Sequence, residues 1–432
     1  MGSLGLHALP FLNGPHPLGY DTGFYRRYLI EPLLSFPNTV VPGLGDEALV
    51  PRAVLDLLRL AHLPTDVILY GSYIVITALL PVLLYVFLRP SLGRGGAVVT
   101  GIFLILSSVA YNAYWYLLWK NLWALCLILL AFIALERRAF WPVIALDICI
   151  ALSHKTSAIV YLLTLVLLTV LYQGRRREIL AHIFITGAVF ALVNMELVHQ
   201  TVLARPQAVF LEWSLFILLS FPFLLIISFG WRSFLERKVP VPLVAFLLVC
   251  FSYTLFHLPF YQRIFVYSDV ALVALAGFGF MYLFDRVQER TRYSCVAGTV
   301  LCISVGLLLG NLWSQFRMLQ PLMREEALSE ISTTTSLLPQ GATLLTSAEE
   351  APWFQGFTHA HIAAPGLLHD THNFEEWLAF WEATSTPAKI DFLNSFEQPL
   401  YVSTFGDITD VVGEPPPCLQ QVSPHLYYSA CE

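Results

Sequence analysis

Charge is scarce in this 432-residue sequence: Asp, Glu, Lys and Arg together make 12%, roughly half the share of an ordinary soluble chain. That shortage, set against 57% hydrophobic residues, excludes a soluble globular or disordered class and places the chain among membrane proteins. Repeats and low-complexity tracts are absent, which excludes solenoid and linker architectures. Residues 1–18 lack both a basic n-region and a long apolar core, so they do not read as a signal peptide. The N-terminal stretch then needs another route across a bilayer, either a transmembrane helix upstream of residue 1 or unaided translocation of a short segment.

What the sequence has is apolar length. A hydrocarbon layer of about 30 Å takes roughly 20 residues of helix. Ten segments read as candidate spans: 67–88, 97–112, 117–135, 140–153, 156–172, 180–197, 209–230, 240–257, 264–284 and 294–313. The expected fold is thus a polytopic α-helical membrane protein of about ten transmembrane helices. Three parts follow: an outer N-terminal loop over 1–66, a helical bundle over 67–313, and a small soluble domain over 314–432.

Orientation comes from the loop cations, which gather on the cytoplasmic side. Alternate loops hold thirteen Lys or Arg (Arg89, Arg94, Arg137, Arg138, Arg175 to Arg177, Arg232, Arg237, Lys238, Arg286, Arg290, Arg292), and the intervening short loops hold four: Lys120, Lys155, Arg205 and Arg263. The first set is read as inside, which leaves both termini outside. Residues 314–432 carry 3 cations and 15 acids, an acidic balance that argues against nucleic-acid partners.

Within the outer loop, residues 23–35 and 47–61 read as amphipathic helices, separated by Pro42-Gly43-Leu44-Gly45. They suit either the headgroup layer or packing on the bundle. Segment 140–153 is short, which predicts a recessed Ser153-His154-Lys155-Thr156 turn. Beyond residue 314, Pro and Gly punctuate short strand candidates (342–346 and 400–405) and a helix near 374–383, an α/β or α+β pattern. Of seven cysteines, Cys126, Cys149, Cys250, Cys295 and Cys302 lie in apolar spans. Cys418 and Cys431 lie outside them, as either a disulfide or two thiols. His359, His361, His369 and His372 with Asp370 are dense enough for a metal but irregularly spaced, so a polar loop surface is the reading preferred and no metal ligand is assigned.

The stretches GYDTGFYRRYL (from Gly19), SHKTS (from Ser153), YQRIFVYSD (from Tyr261) and APWFQGFTHAHIAAPGLL (from Ala351) resemble those of the GT-C superfamily of lipid-dependent glycosyltransferases. That superfamily includes the protein mannosyltransferases and aminoarabinose transferases, and the likeness is to uncharacterised prokaryotic members. It covers nearly the whole chain through individually weak motifs. WWDYG is missing, which argues against an oligosaccharyltransferase catalytic subunit. No Asp-Glu pair stands at Asp21-Thr22, which puts protein O-mannosylation in doubt. The superfamily's usual first membrane helix, ahead of the acidic motif, is also missing here.

The resemblance implies an inverting hexosyl- or pentosyltransferase in a prokaryotic plasma membrane, with the C-terminal domain outside. The donor would be a polyprenyl-phosphate sugar and the acceptor a glycan, lipid or protein. Asp21 resembles the general base, though a helix cap fits its position equally. Lys120, Lys155 and Arg263 would meet the donor phosphate, or else snorkel to the interface. His154 could bond phosphate or acceptor, or serve structurally. Tyr20, Asp147 and Asp269 are supporting candidates: Asp147 to orient His154, pair with Lys155 or sit protonated against a neighbouring helix, Asp269 to partner a cation near the outer leaflet. No cofactor is certain, and a divalent cation is compatible with the class. A transporter or flippase of lipid-linked glycans, or a glycan polymerase or ligase, is the alternative.

Overall fold

The computed structural model describes residues 2–13, 19, 21–30, 49–115, 117–203, 211–258, 261–289, 293–365, 372, 374–383, 386–404 and 408–431, without the side chains of 13, 194–203, 235, 374 and 410. Tyr20, Arg205, His369 and Asp370, and the Pro42–Gly45 stretch, lie outside these residues.

The first part is short helices: α1 (Gly2–Ala8), α2 (Thr22–Ile30) and α3 (Leu49–Arg59). The bundle follows with α4 (Thr65–Ile105), α5 (Ser108–Asn112), α6 (Trp119–Glu136), α7 (Phe140–Ala151), α8 (Lys155–Leu171), α9 (Arg176–Leu203), α10 (Trp213–Phe229), α11 (Ser233–Glu236), α12 (Val241–Leu255), α13 (Phe265–Gln288) and α14 (Ser294–Met318). Within the described residues, each of the ten apolar segments is largely helical. Among the described residues, four stretches can cross a membrane by length and composition (Thr65–Trp115, Trp119–Glu136, Tyr261–Gln288, Ser294–Met318), or five if Lys155–Leu171 and Gln173–Val193, bent by 112°, count together. Length alone therefore gives fewer spans than ten, since Phe140–Ala151, Trp213–Phe229 and Val241–Leu255 are apolar but short.

The first segment and the start of the second share α4, which is broken at Gly93. That residue has φ 73° and ψ −179°, a conformation open to glycine because it has no Cβ. Past the break the chain folds back: a Cβ on Gly101 would stand 3.4 Å from the Pro81 carbonyl oxygen, so the two halves lie side by side.

In the N-terminal part, α2 buries Tyr25, Tyr28 and Leu29 against neighbouring elements, whereas α3 leaves Leu57 and Leu58 exposed. Bundle packing is thus the arrangement of α2. The bare leucines of α3 keep the headgroup-layer reading open for that helix alone.

The C-terminal part contains α15 (Glu325–Ser336), β1 (Thr343–Leu345), α16 (Ala351–Gln355), β2 (His361–Ala363), α17 (Phe374–Glu382), α18 (Thr386–Asn394), β3 (Leu400–Ser403), α19 (Thr409–Val412), β4 (Leu419–Ser423) and β5 (Leu426–Ser429). Its mixed sheet runs β2-β1-β3-β5-β4, parallel at β2-β1 and β1-β3 and antiparallel beyond. Successive strand residues face opposite sides. Leu344 accordingly joins a core with Ile331, Trp353 and Phe354, and Leu345 joins one with Trp377, Phe380 and Val402. The β4–β5 hairpin is closed by a Cys418–Cys431 disulfide with Cα atoms 5.0 Å apart.

Candidate active site

Asp21 stands immediately before α2, and its backbone carbonyl accepts the first helical bond from the Tyr25 amide at 3.2 Å. The residue is therefore at the cap position, and its carboxylate is nearly enclosed, with 8% of the residue exposed. Two contacts fix this loop. Gly19 lies against Leu117, where a Cβ would collide with the Leu117 backbone, and this seats the loop on the segment that begins α6. Gly23, two residues after Asp21, meets the Pro352 carbonyl of α16, where a Cβ would likewise collide.

Two of the predicted cations converge on this carboxylate. Arg263 Nη2 is 3.9 Å from Asp21 Oδ2. Lys120, the second residue of α6, is within electrostatic reach of Asp21, with its ammonium 5.9 Å and 6.0 Å from the ring centres of Tyr25 and Tyr28. Burial pushes the Asp21 carboxyl above the ordinary carboxylate range, and Arg263 and then Lys120 oppose that push.

His154 caps α8, its Nδ1 accepting from the Ser157 amide at 3.4 Å and lying 2.7 Å from Ser157 Oγ. Ser157 Oγ in turn bonds Tyr267 OH, which donates to the Asn121 carbonyl at 3.1 Å. The chain of bonds thus runs from the SHKTS turn through α13 to the first turn of α6. Lys155 is buried beside His154 as the first residue of α8. The preceding turn is tied to α3 by a bond from the Val50 amide to the Leu152 carbonyl at 3.2 Å.

Of the two intramembrane acids, Asp147 follows one of its three expected readings and Asp269 takes a different partner from the one expected. Asp147 accepts from Tyr161 OH at 2.8 Å and pairs with His182 Nδ1 at 2.7 Å. It therefore neither orients His154 nor pairs with Lys155. The helical-face argument fails because α7 ends at Ala151 and a turn separates it from His154. The remaining reading, a buried carboxyl bonded to neighbouring helices, is what the packing shows. Asp269 accepts from Ser107 Oγ at 2.7 Å, a hydroxyl at the break before α5 rather than a cation. His372 bonds Ser395 and packs at a tilt against the Phe392 and Phe396 rings. Among the described residues no three His, Cys, Asp or Glu side chains converge as metal ligands.

Tyr25, Ser157, Tyr267 and Asn121 belong to this arrangement and were not singled out in sequence. A signal existed for two of them. Tyr25 follows Asp21 by four residues and Tyr267 follows Arg263 by four, the spacing that puts side chains on one helical face.

No family profile and no curated protein matches the sequence. Solved structures match the fold. AglB oligosaccharyltransferase from Archaeoglobus fulgidus, in complex with an inhibitory peptide and a dolichol-phosphate, aligns with a TM-score of 0.62 at 10% identity over 93% of this chain and 68% of its own. ArnT from Cupriavidus metallidurans, bound to undecaprenyl phosphate, aligns with a TM-score of 0.62 at 12% identity over 100% of this chain and 97% of its own. The chain shares the fold of these two structures. A second structure of the Archaeoglobus fulgidus oligosaccharyltransferase, a complex with Zn and sulfate, has a TM-score of 0.60 at 11% identity over 93% of this chain and 67% of its own. At such identities the likeness is of architecture, and residue roles have to be argued from this chain's own side chains. On this shared fold, the loop that carries Asp21 is clamped between the segment that begins α6 and the C-terminal part.

Proposed function

We propose that the chain is a GT-C-type glycosyltransferase of a prokaryotic plasma membrane, with the C-terminal domain on the outer face. Its donor is a polyprenyl-phosphate sugar, and its acceptor carries a hydroxyl or other nucleophile on a glycan, lipid or protein. The observation that carries the reading is one enclosed carboxylate, Asp21, with the guanidinium of Arg263 at 3.9 Å and the ammonium of Lys120 in electrostatic reach.

That set suits displacement at an anomeric carbon. Asp21 takes the proton from the acceptor hydroxyl as its oxygen attacks the carbon from the face opposite the phosphate. The carbon–oxygen bond to phosphate breaks, the electron pair leaves with polyprenyl phosphate, and Lys120 and Arg263 meet the growing negative charge. Attack opposite the leaving group inverts the configuration. His154 and Lys155, held at the start of α8, would extend the same polar wall. An apolar groove of about 320 Å³ between α8 and α12, lined by residues including Leu163, Val166, Leu248, Tyr253 and Leu258, supports an isoprenoid chain approaching the Arg263 turn.

Zn is present in one oligosaccharyltransferase structure. Among the described residues Asp21 is flanked by cations and no ligand cluster exists, so no step is assigned to a metal.

The test is turnover on purified protein with a panel of polyprenyl-phosphate sugars. Sugar transfer with stoichiometric polyprenyl phosphate is expected from at least one donor. Protein-dependent movement of lipid-linked sugar across vesicles without cleavage would replace this reading with the transporter.

A further inference from the structure

We propose that the side-chain amide of Asn121 is a hydrogen-bond donor to the phosphate of the lipid-linked donor, an assignment that rests on the glycosyltransferase reading and deepens it. Asn121 lies on the first turn of α6, directly after Lys120. It is 1% exposed, and its Nδ2 has no hydrogen-bond partner among the described residues. A buried donor left unpaired destabilises a fold, and such groups in native proteins usually face a ligand or water.

The surroundings point to an anion as that ligand. The first turn of a helix leaves backbone amides unsatisfied and carries the positive end of the helix dipole. The residue before α6, Leu118, supplies no side-chain acceptor to cap them. Lys120 adds a full positive charge on the same turn. The Asn121 carbonyl is held by Tyr267, which belongs to α13 and follows Arg263 by four residues, so the turn is tied to the helix that begins just after the second cation. An oxyanion seated there would take a hydrogen bond from Asn121 Nδ2 and charge from Lys120 and Arg263. Phosphate fits because its several oxygens can accept from all three at once. Asn121 forms no covalent bond in this role and moves no proton.

A structural asparagine and a ligand-binding one differ in what an apolar replacement does. Asn121→Leu has similar volume and removes the unpaired donor. If the amide serves the ligand, the variant should melt at the wild-type temperature or above it, while its dissociation constant for polyprenyl phosphate in detergent rises about ten- to a hundredfold, the value of a hydrogen bond to a charged group. Asn121→Ser, smaller than the native residue, gives the same binding readout should the leucine not fold. Lys120→Met is measured in parallel. Wild-type affinity in either folded Asn121 variant, with Lys120→Met impaired, would overturn the assignment and leave the glycosyltransferase reading standing. Failure of the wild type itself to bind polyprenyl phosphate would overturn both.

Discussion

Gly23 and Gly356 meet backbone to backbone: a Cβ on Gly356 would stand 2.7 Å from the Gly23 Cα. The contact joins the helix that follows Asp21 to the end of α16, so the C-terminal part presses on the loop that holds the proposed base. Arg26, on the next turn of α2, reinforces it by pairing with Asp66 Oδ1 at 2.6 Å and lying 4.2 Å over the Phe357 ring.

Gly356→Val should therefore push α2 off its seat. Overpacking of this kind costs about 1–3 kcal/mol, and the expected outcome is a lowered melting temperature together with a turnover loss larger than the change in donor KM. Thermal melting and steady-state kinetics on the same preparation check it. Unchanged turnover in a folded variant would show that the contact does not set the position of Asp21.

The raised pKa of Asp21 has a defined consequence for stability. Its folded carboxyl holds a proton more tightly than the unfolded chain does, so its contribution favours folding most below the ordinary carboxylate pKa and is lost as pH rises through the raised value. Asp21→Asn should match the wild type in acid and exceed its melting temperature near neutrality. The acid limb of the wild-type kcat/KM profile should lie above the usual carboxylate range. Melting curves across pH and a pH-rate profile test the two halves separately.

Cys418 and Cys431 bracket the β4–β5 hairpin with a sequence separation of 13. A loop of that size is worth about 3 kcal/mol in chain entropy, so Cys418→Ser with Cys431→Ser should lower the melting temperature and leave the bundle's apolar helices intact. Peptide mapping without reductant should recover the linked pair, and recovery of both as free thiols from an oxidising compartment would contradict the bond.

Much of the fold was legible because membrane helices announce themselves locally: the ten apolar runs are largely helical within the described residues, and strands read at 342–346 and 400–405 appear as Thr343–Leu345 and Leu400–Ser403. The convergence of Lys120 and Arg263 on Asp21 followed from a simple scarcity, lone cations in the cation-poor set of loops. What sequence missed was set by pairing at a distance. Asp147 finds His182, 35 residues away, where spacing alone had suggested His154. The Arg26 side chain is shared between Asp66 and Phe357, and no periodicity in α2 encodes that. The break at Gly93 was read as a loop between spans, and only φ reveals that one glycine makes the reversal.

The most direct test of the central claim is release of polyprenyl phosphate by wild type and Asp21→Asn at matched folded concentration. Asparagine keeps the size and most of the capping ability of aspartate but cannot accept the acceptor's proton. The account predicts a fall in kcat of about 10²-fold or more with donor binding retained. Equal rates would contradict it and remove Asp21 as the base.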